Sequence, residues 1–247
     1  MRLLTKFDIR NNNVVKGINY EGVEVVGNYL KIYNNVCLYI KNNISINFEI
    51  ILNDITASLF SLKSGEKNII DIFNNKLYAL PHIYSGGISC ITDFENCLTN
   101  GGDRVMMNTI LFEDLIFLKN IIQIYGSQII IASIETRFIN DDYYVYKSYG
   151  RDFTGIKLLD WIKTLYDNGI IEILIISIDK DGSLEGHDKM LLQYISNSKI
   201  FEDKHLSILY AGGIKDFNEI EEIKKNFSFI TGISISTLFY KNISILG

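Results

Sequence analysis

Proline is nearly missing from this chain. Pro81 is the only one in 247 residues, which excludes Pro-rich linkers between independently folded units. Cysteine is scarce as well. Cys37, Cys90 and Cys97 are odd in number and form no CxxC pair, the usage expected of a reduced, cytoplasmic protein rather than a disulfide framework. His82, His187 and His205 are the only histidines and share no ligand-like spacing, so neither a metal centre nor a cofactor is expected. There is no basic surplus: Lys and Arg number 24 against 29 Asp and Glu, a net charge of −5 with the signs scattered. No face for nucleic acid follows from that balance. No apolar run approaches membrane-spanning length, and the stretch Met1–Asp8 meets charge too early for a secretory signal, so no membrane role is expected. What the chain does hold is apolar residues, 47% of the total. They suffice for a full core, and the length suits one (β/α)₈ barrel domain over residues 1–247.

The chain also repeats itself. Tyr84-Ser85-Gly86-Gly87-Ile88-Ser89 returns as Tyr210-Ala211-Gly212-Gly213-Ile214-Lys215, with Gly86 and Gly212 separated by 126 residues. Each copy follows a short apolar run and precedes an acidic, helix-like segment. A glycine pair there allows a tight strand-to-helix turn and leaves bare N–H groups able to hold an anion. Either copy alone reads equally as an ordinary turn. The echo extends further. Asp8, closing the run Leu3–Phe7, answers to Glu135 closing Ile129–Ile134, an offset of 127. Asp54 answers to Asp179 at 125, and Val105–Thr109 more weakly to Ile233–Thr237. Four strand ends recurring in order predict two half-barrels, about 1–125 and 126–247.

Strands are expected near 2–9, 49–55, 80–86, 104–108, 128–136, 172–179, 205–212 and 228–235. Each is rich in Ile, Leu and Val, as strands buried on both faces are. Apolar positions at helical spacing predict helices over 112–124 and 156–167. Strand–helix alternation closing on itself gives the barrel; an open doubly wound sheet is the alternative, and the half-repeat argues against it. About eleven residues follow the last strand, so the final helix is expected to be short or missing, with strands one and seven less well covered.

In such a barrel chemistry sits where strands end. Asp8 and Glu135 end strands one and five, on opposite sides of the mouth, and an opposed pair can serve as acid and base. The alternative is that each caps a loop. Gly86, Gly87, Asn108 and Thr109 make one candidate anion site; Asp181, Gly182, Gly212, Gly213 and Ser236 make the other. Together they predict an elongated small-molecule ligand with a phosphate at each end.

Phe7-Asp8-Ile9-Arg10 with Val14-Val15-Lys16-Gly17-Ile18-Asn19-Tyr20, then Asp54-Ile55-Thr56-Ala57-Ser58, Ser85-Gly86-Gly87-Ile88, Asp103–Thr109, Gly126-Ser127-Gln128, Asp179-Lys180-Asp181-Gly182 and Ala211-Gly212-Gly213 run in one order. In combination they resemble the cyclase subunit of imidazole glycerol phosphate synthase, of histidine biosynthesis, from residue 1 to about 245. The sister sugar isomerase of that pathway shares the half-repeat, but Val-Val-Lys-Gly-Ile-Asn and Asp-Ile-Thr-Ala-Ser resemble the cyclase more. The resemblance implies a lyase that takes ammonia from a partner glutaminase and a phosphoribulosyl-aminoimidazole carboxamide nucleotide, and yields imidazole glycerol phosphate and an aminoimidazole carboxamide ribotide. It makes Asp8 and Glu135 the catalytic pair, with Lys16, Asp54, Gly87, Asn108, Thr109, Gly182, Gly213 and Ser236 toward substrate.

Arg2, Glu49, Arg104 and Glu172 stand at or near the starts of strands one, two, four and six. The bland reading is a solvated rim. The resemblance implies instead a salt-bridged ring gating ammonia at the glutaminase interface, on the N-terminal face. Four departures stand against the family pattern. Glu135 replaces an aspartate, Ile176 a threonine, and Ile235 a small residue beside the second phosphate site; the closing helix is curtailed. They leave open a paralogue working with an amidotransferase in surface-sugar acetamidino modification, a weakly catalytic barrel that mainly activates an amidotransferase, and, less favoured, a sugar-phosphate isomerase.

Overall fold

The computed structural model describes residues 1–43, 47–56, 80–200 and 205–243. Ala57 and Ser58 of the second motif lie outside them. Twelve strands form one sheet, and eight of these close on themselves. The eight are β1 (Arg2–Arg10), β4 (Phe48–Asp54), β5 (His82–Ser85), β6 (Arg104–Met107), β7 (Ile130–Ile139), β10 (Glu172–Ser177), β11 (Ser207–Ala211) and β12 (Ile230–Ser234). Each pairs in parallel with the next, β7 with β10 and β12 with β1, so no edge is left. This is the expected (β/α)₈ barrel rather than an open sheet.

The period of two along each strand sorts the side chains. Leu4, Ile51, Ile83, Met106, Ile131, Leu174, Ile176, Leu209 and Ala211 form an apolar cluster inside the barrel. Their sequence neighbours Leu3, Ile50, Leu52, Val105, Ile130, Ile173, Ile175 and Ile208 belong to the larger core between strands and helices. Both faces of the eight barrel strands are therefore largely buried, which is why their runs are mostly apolar.

The remaining four strands make two hairpins, and these were not foreseen. β2 (Asn13–Ile18) and β3 (Glu21–Asn28) follow β1; β8 (Asp142–Lys147) and β9 (Asp152–Lys157) follow β7. The half-repeat thus extends to its loops. Asn11 and Asn12 turn β1 into β2 at φ 45° and 60°, and Asn140 and Asp141 turn β7 into β8 at 48° and 65°. Two left-handed residues in succession suit a tight hairpin, and Asn and Asp tolerate that region.

Two helix expectations need correcting. The one over 112–124 is two helices, α3 (Thr109–Glu113) and α4 (Leu115–Tyr125), because Asp114 adopts φ −147° and caps the second by accepting from Phe117 N–H at 2.8 Å. A capping carboxylate offers the backbone a better partner than a continued helix does. The one over 156–167 starts only at Leu158, as α5 (Leu158–Asp167), because residues up to Lys157 pair with β8. Several strand limits also move by two or three residues: β5, β7, β11 and β12 start later than expected and β7 runs on to Ile139. Residues 127–129 form a 3₁₀ turn before β7, and β10 stops at Ser177. Among the described residues the other helices are α1 (Tyr29–Asn43), α2 (Ile91–Thr99), α6 (Lys189–Ser198), α7 (Phe217–Asn226) and α8 (Ser236–Ile243). The closing helix α8 is short, as expected, yet it does not leave β1 bare. Tyr240 packs on Phe7 with ring centroids 5.9 Å apart and donates to Lys6 O, while Phe239 meets Phe48 edge-on at 5.4 Å.

Candidate functional site

Strand parity builds the barrel interior in layers. At the N-terminal end Arg2, Glu49, Arg104 and Glu172 point inward and close a ring. Arg2 meets Glu49 at 3.0 Å and Glu172 at 2.7 Å; Arg104 meets Glu172 at 2.8 Å and Glu49 at 3.5 Å. Burial alone would raise the Glu172 carboxyl, but Arg104 and Arg2 outweigh it and hold it low. Two residues further along come Leu4, Ile51, Met106 and Leu174, all apolar. Two further still, the lining turns mostly polar, with Lys6, Asn53 and Asn108 beside the apolar Ile176, and then Asp8.

Asp8 ends its run among donors. Asn53 Nδ2 donates to its Oδ1 at 2.6 Å, Lys6 Nζ stands 3.4 Å from the same oxygen, and the Tyr149 hydroxyl approaches Oδ2 at 3.4 Å. Glu135, from the opposite side of the barrel, accepts from Gly150 N–H at 2.7 Å. Tyr149 and Gly150 are consecutive, so one turn touches both acids, and the two share one mouth. Burial pushes the Glu135 carboxyl up to about 7, opposed by Lys6 and Gly150 N–H and assisted by Asp8 and Asp181. Burial would also strip the Lys6 proton, but Asp8, Asp181 and Glu135 outweigh it and keep the amine charged.

Over these charges the two hairpins meet. The Tyr20 and Tyr149 rings stack with centroids 4.4 Å apart and planes 5° from parallel, and Lys6 Nζ lies 5.4 and 5.8 Å from their centres. Both tyrosines are left-handed, at φ 63° and 60°, an uncommon state for a bulky residue that tertiary contacts must hold. The first hairpin is pinned by Asn19 N–H donating to Asp181 O at 2.8 Å and by Lys16 Nζ at 2.8 Å from Asp181 Oδ2.

The nine candidate anion-site residues fall into the two groups expected of them. Gly86, Gly87, Asn108 and Thr109, together with Glu135 and Lys6, line a cavity of about 430 Å³. Asp181, Gly182, Gly212, Gly213 and Ser236, with Lys6, Lys16 and Ile235, line a second of about 20 Å³, room for roughly one water. The glycines are required at these turns. A Cβ on Gly86 (φ 99°) would lie 2.2 Å from Asp54 O, and one on Gly213 (φ 79°) 2.2 Å from Gly186 O. Ser236 Oγ is already engaged, accepting from Lys6 N–H at 2.7 Å.

Asp54 departs from the rest. It lines neither cavity; its Oδ1 accepts from Thr56 N–H at 2.9 Å, and the residue of β4 that turns to the mouth is Asn53. The parity that sends Glu49 and Ile51 inward also sends Asn53 inward and Asp54 out. Lys6, Asn53, Tyr20 and Tyr149 are the parts that motif reading missed. Lys6 was signalled by a charge inside an apolar strand two residues before Asp8, and the tyrosines by their offset of 129 residues, close to that of the repeat.

The histidine biosynthesis protein family matches the chain over residues 2–244. The imidazole glycerol phosphate synthase subunit HisF of Bacillus cereus is 31% identical over 243 residues, spanning 97% of this chain and 90% of that protein. The subunits of the same name from Chlorobaculum parvum and Sulfurisphaera tokodaii are each 29% identical, over 224 and 226 residues, covering 90% and 91% of this chain and 83% and 85% of theirs. A match running almost end to end, on a barrel whose mouth gathers paired acids between paired glycine turns, makes this chain a member of the histidine biosynthesis protein family, among its HisF subunits.

Proposed function

We propose that the chain is an ammonia-dependent cyclase of the lyase class, converting a phosphoribulosyl-aminoimidazole carboxamide nucleotide with two phosphates to imidazole glycerol phosphate and an aminoimidazole carboxamide ribotide. The observation that carries this reading is the convergence of Asp8 and Glu135 on one turn, Tyr149-Gly150, beside a cavity edged by a glycine turn. Adding ammonia to a carbonyl requires a proton delivered to the oxygen and another removed from the nitrogen. Glu135, titrating near neutrality, is the acid that delivers the first. Asp8, surrounded by donors, is the base that takes the second. The glycine turns and the segments facing them, Asn108-Thr109 and Asp181-Gly182 with Ser236, bind the phosphates through backbone N–H groups.

Ammonia comes from a glutaminase seated on the N-terminal face, around the ring of Arg2, Glu49, Arg104 and Glu172. The apolar layer above that ring suits neutral ammonia and resists ammonium, whose desolvation costs far more. One observation favours a second reading, a paralogue that amidates a different sugar beside its own amidotransferase: Ile235 lines the second cavity, which is small.

The test supplies the purified chain with the nucleotide and ammonium salts at alkaline pH and follows imidazole glycerol phosphate. Asp8→Asn is expected to lower turnover by about 100-fold or more while nucleotide affinity stays nearly unchanged. Full turnover in that variant removes Asp8 from the chemistry, and no product from the unmodified chain favours the paralogue.

A further inference from the structure

Among the described residues, Lys6 alone lines both cavities. Its side chain rises from the middle of β1, is almost wholly buried, and lies beneath the faces of Tyr20 and Tyr149. Asp8 is the one carboxylate within ion-pair range, at 3.4 Å. An ammonium carries three N–H donors, so donors remain beyond the one turned to Asp8. A ligand anchored at Gly87 and Asn108 by one end, and at Gly182 and Gly213 by the other, has to cross Lys6 Nζ.

We infer that Lys6 is a substrate-contacting, specificity-determining residue that donates a hydrogen bond to an oxygen in the middle of a two-phosphate ligand, a carbonyl or hydroxyl of its sugar chain. This rests on the reading that one ligand spans both cavities. A middle built only of methylenes would cover the ammonium without pairing it, and leaving a buried charge unpaired is costly. A middle bearing a cation would be repelled. Where that oxygen is the carbonyl that receives ammonia, its negative charge develops beside a fixed positive one.

The experiment measures binding of two probes by calorimetry: the ketose nucleotide named above, and its analogue in which a methylene replaces the ketone. Lys6→Met is the first variant, since methionine matches the stem of lysine and suits the apolar lining below. Lys6→Gln is the second, for the case in which the first does not fold. The unmodified chain is expected to prefer the ketose by about tenfold, the worth of one charge-assisted hydrogen bond. Either variant is expected to bind the two probes within about twofold of each other, with the methylene analogue bound no more weakly than before. A merely structural lysine would not move that ratio. If the unmodified chain binds both probes and a folded variant keeps the tenfold preference, the inference is overturned while the functional reading stands. If the unmodified chain binds neither, the two-ended ligand itself fails and Lys6 falls with it.

Discussion

Glu135→Gln isolates the electrostatic cost of the mouth. The glutamate is buried in the middle of β7, close to where the strand leaves the barrel for the hairpin, and titrates at about 7, against 4.5 for an ordinary glutamate. Its folded-state pKa is raised, so the folded chain binds more protons than the unfolded chain between those values. Stability is then full below about 4.5 and falls as pH rises toward 7. At about 1.4 kcal/mol per pH unit, the interval amounts to about 3 kcal/mol. Glutamine keeps an acceptor for Gly150 N–H and never ionises. Urea unfolding of both proteins from pH 4 to 8 should therefore give nearly equal stabilities at the acid end. The variant should then gain progressively, to about 3 kcal/mol near pH 8. Turnover should fall in parallel, since the variant has no proton to deliver. A stability difference that stays level with pH, or widens toward acid, would refute the reasoning. Either result would mean that Lys6 and Gly150 N–H hold the carboxylate ionised despite its burial.

Two more perturbations test the frame around that site. Arg2→Ala breaks two of the four contacts of the N-terminal ring and leaves Glu49 and Glu172 to share Arg104. After allowance for the partial exposure of these groups, a loss of about 2 kcal/mol is expected in a denaturant titration, and an unchanged midpoint would show the ring to be no more than a solvated rim. Gly86→Ala forces a Cβ to within 2.2 Å of Asp54 O at φ 99°. The turn has to shift, so a cost of about 3 kcal/mol is expected, with weakened binding of inorganic phosphate in the larger cavity; a fully stable variant would mean that the turn is not held in this conformation.

The eight barrel strands were legible because burial on both faces writes them as unbroken apolar runs, and the half-repeat showed that they close. The hairpins were not, for a physical reason. β9 (Asp152–Lys157) is largely exposed and its residues carry no apolar run, so nothing in Arg151-Asp152-Phe153-Thr154-Gly155 distinguishes it from loop. Local chemistry also outweighed periodicity at Asp114, where one capping carboxylate split an otherwise continuous helical stripe. At the mouth, the repeat points to the acids and glycines, whereas strand parity turns Asp54 away from the lumen. Two inward positions on β4 cannot be an odd number of residues apart, so Glu49 in the ring excludes Asp54 from the lumen and requires Asn53 there. The same count from Arg2 leads through Leu4 to Lys6 and Asp8.

The side chains around Glu135 form one linked set rather than separate parts. The Glu135 side chain reaches from β7 to Gly150 N–H, and an aspartate, one methylene shorter, would stop short of it. Gly150 in turn is the residue against which Tyr20 packs; a Cβ there would meet that ring at 2.5 Å. Tyr20 stacks on Tyr149, Tyr149 approaches Asp8, and Lys6 lies under both rings within ion-pair range of Asp8. The longer acid, the glycine that receives the ring, the tyrosine pair and the buried lysine thus depend on one another. Shortening Glu135 alone would release Gly150 N–H, which Glu135→Gln would not, without removing the lysine that the hairpins cover. Energies of residues in such direct contact do not add. The mouth therefore has to be altered as a group, and the coupling runs between the two halves of the barrel: each half contributes one acid and one tyrosine, and the first adds the cation between them.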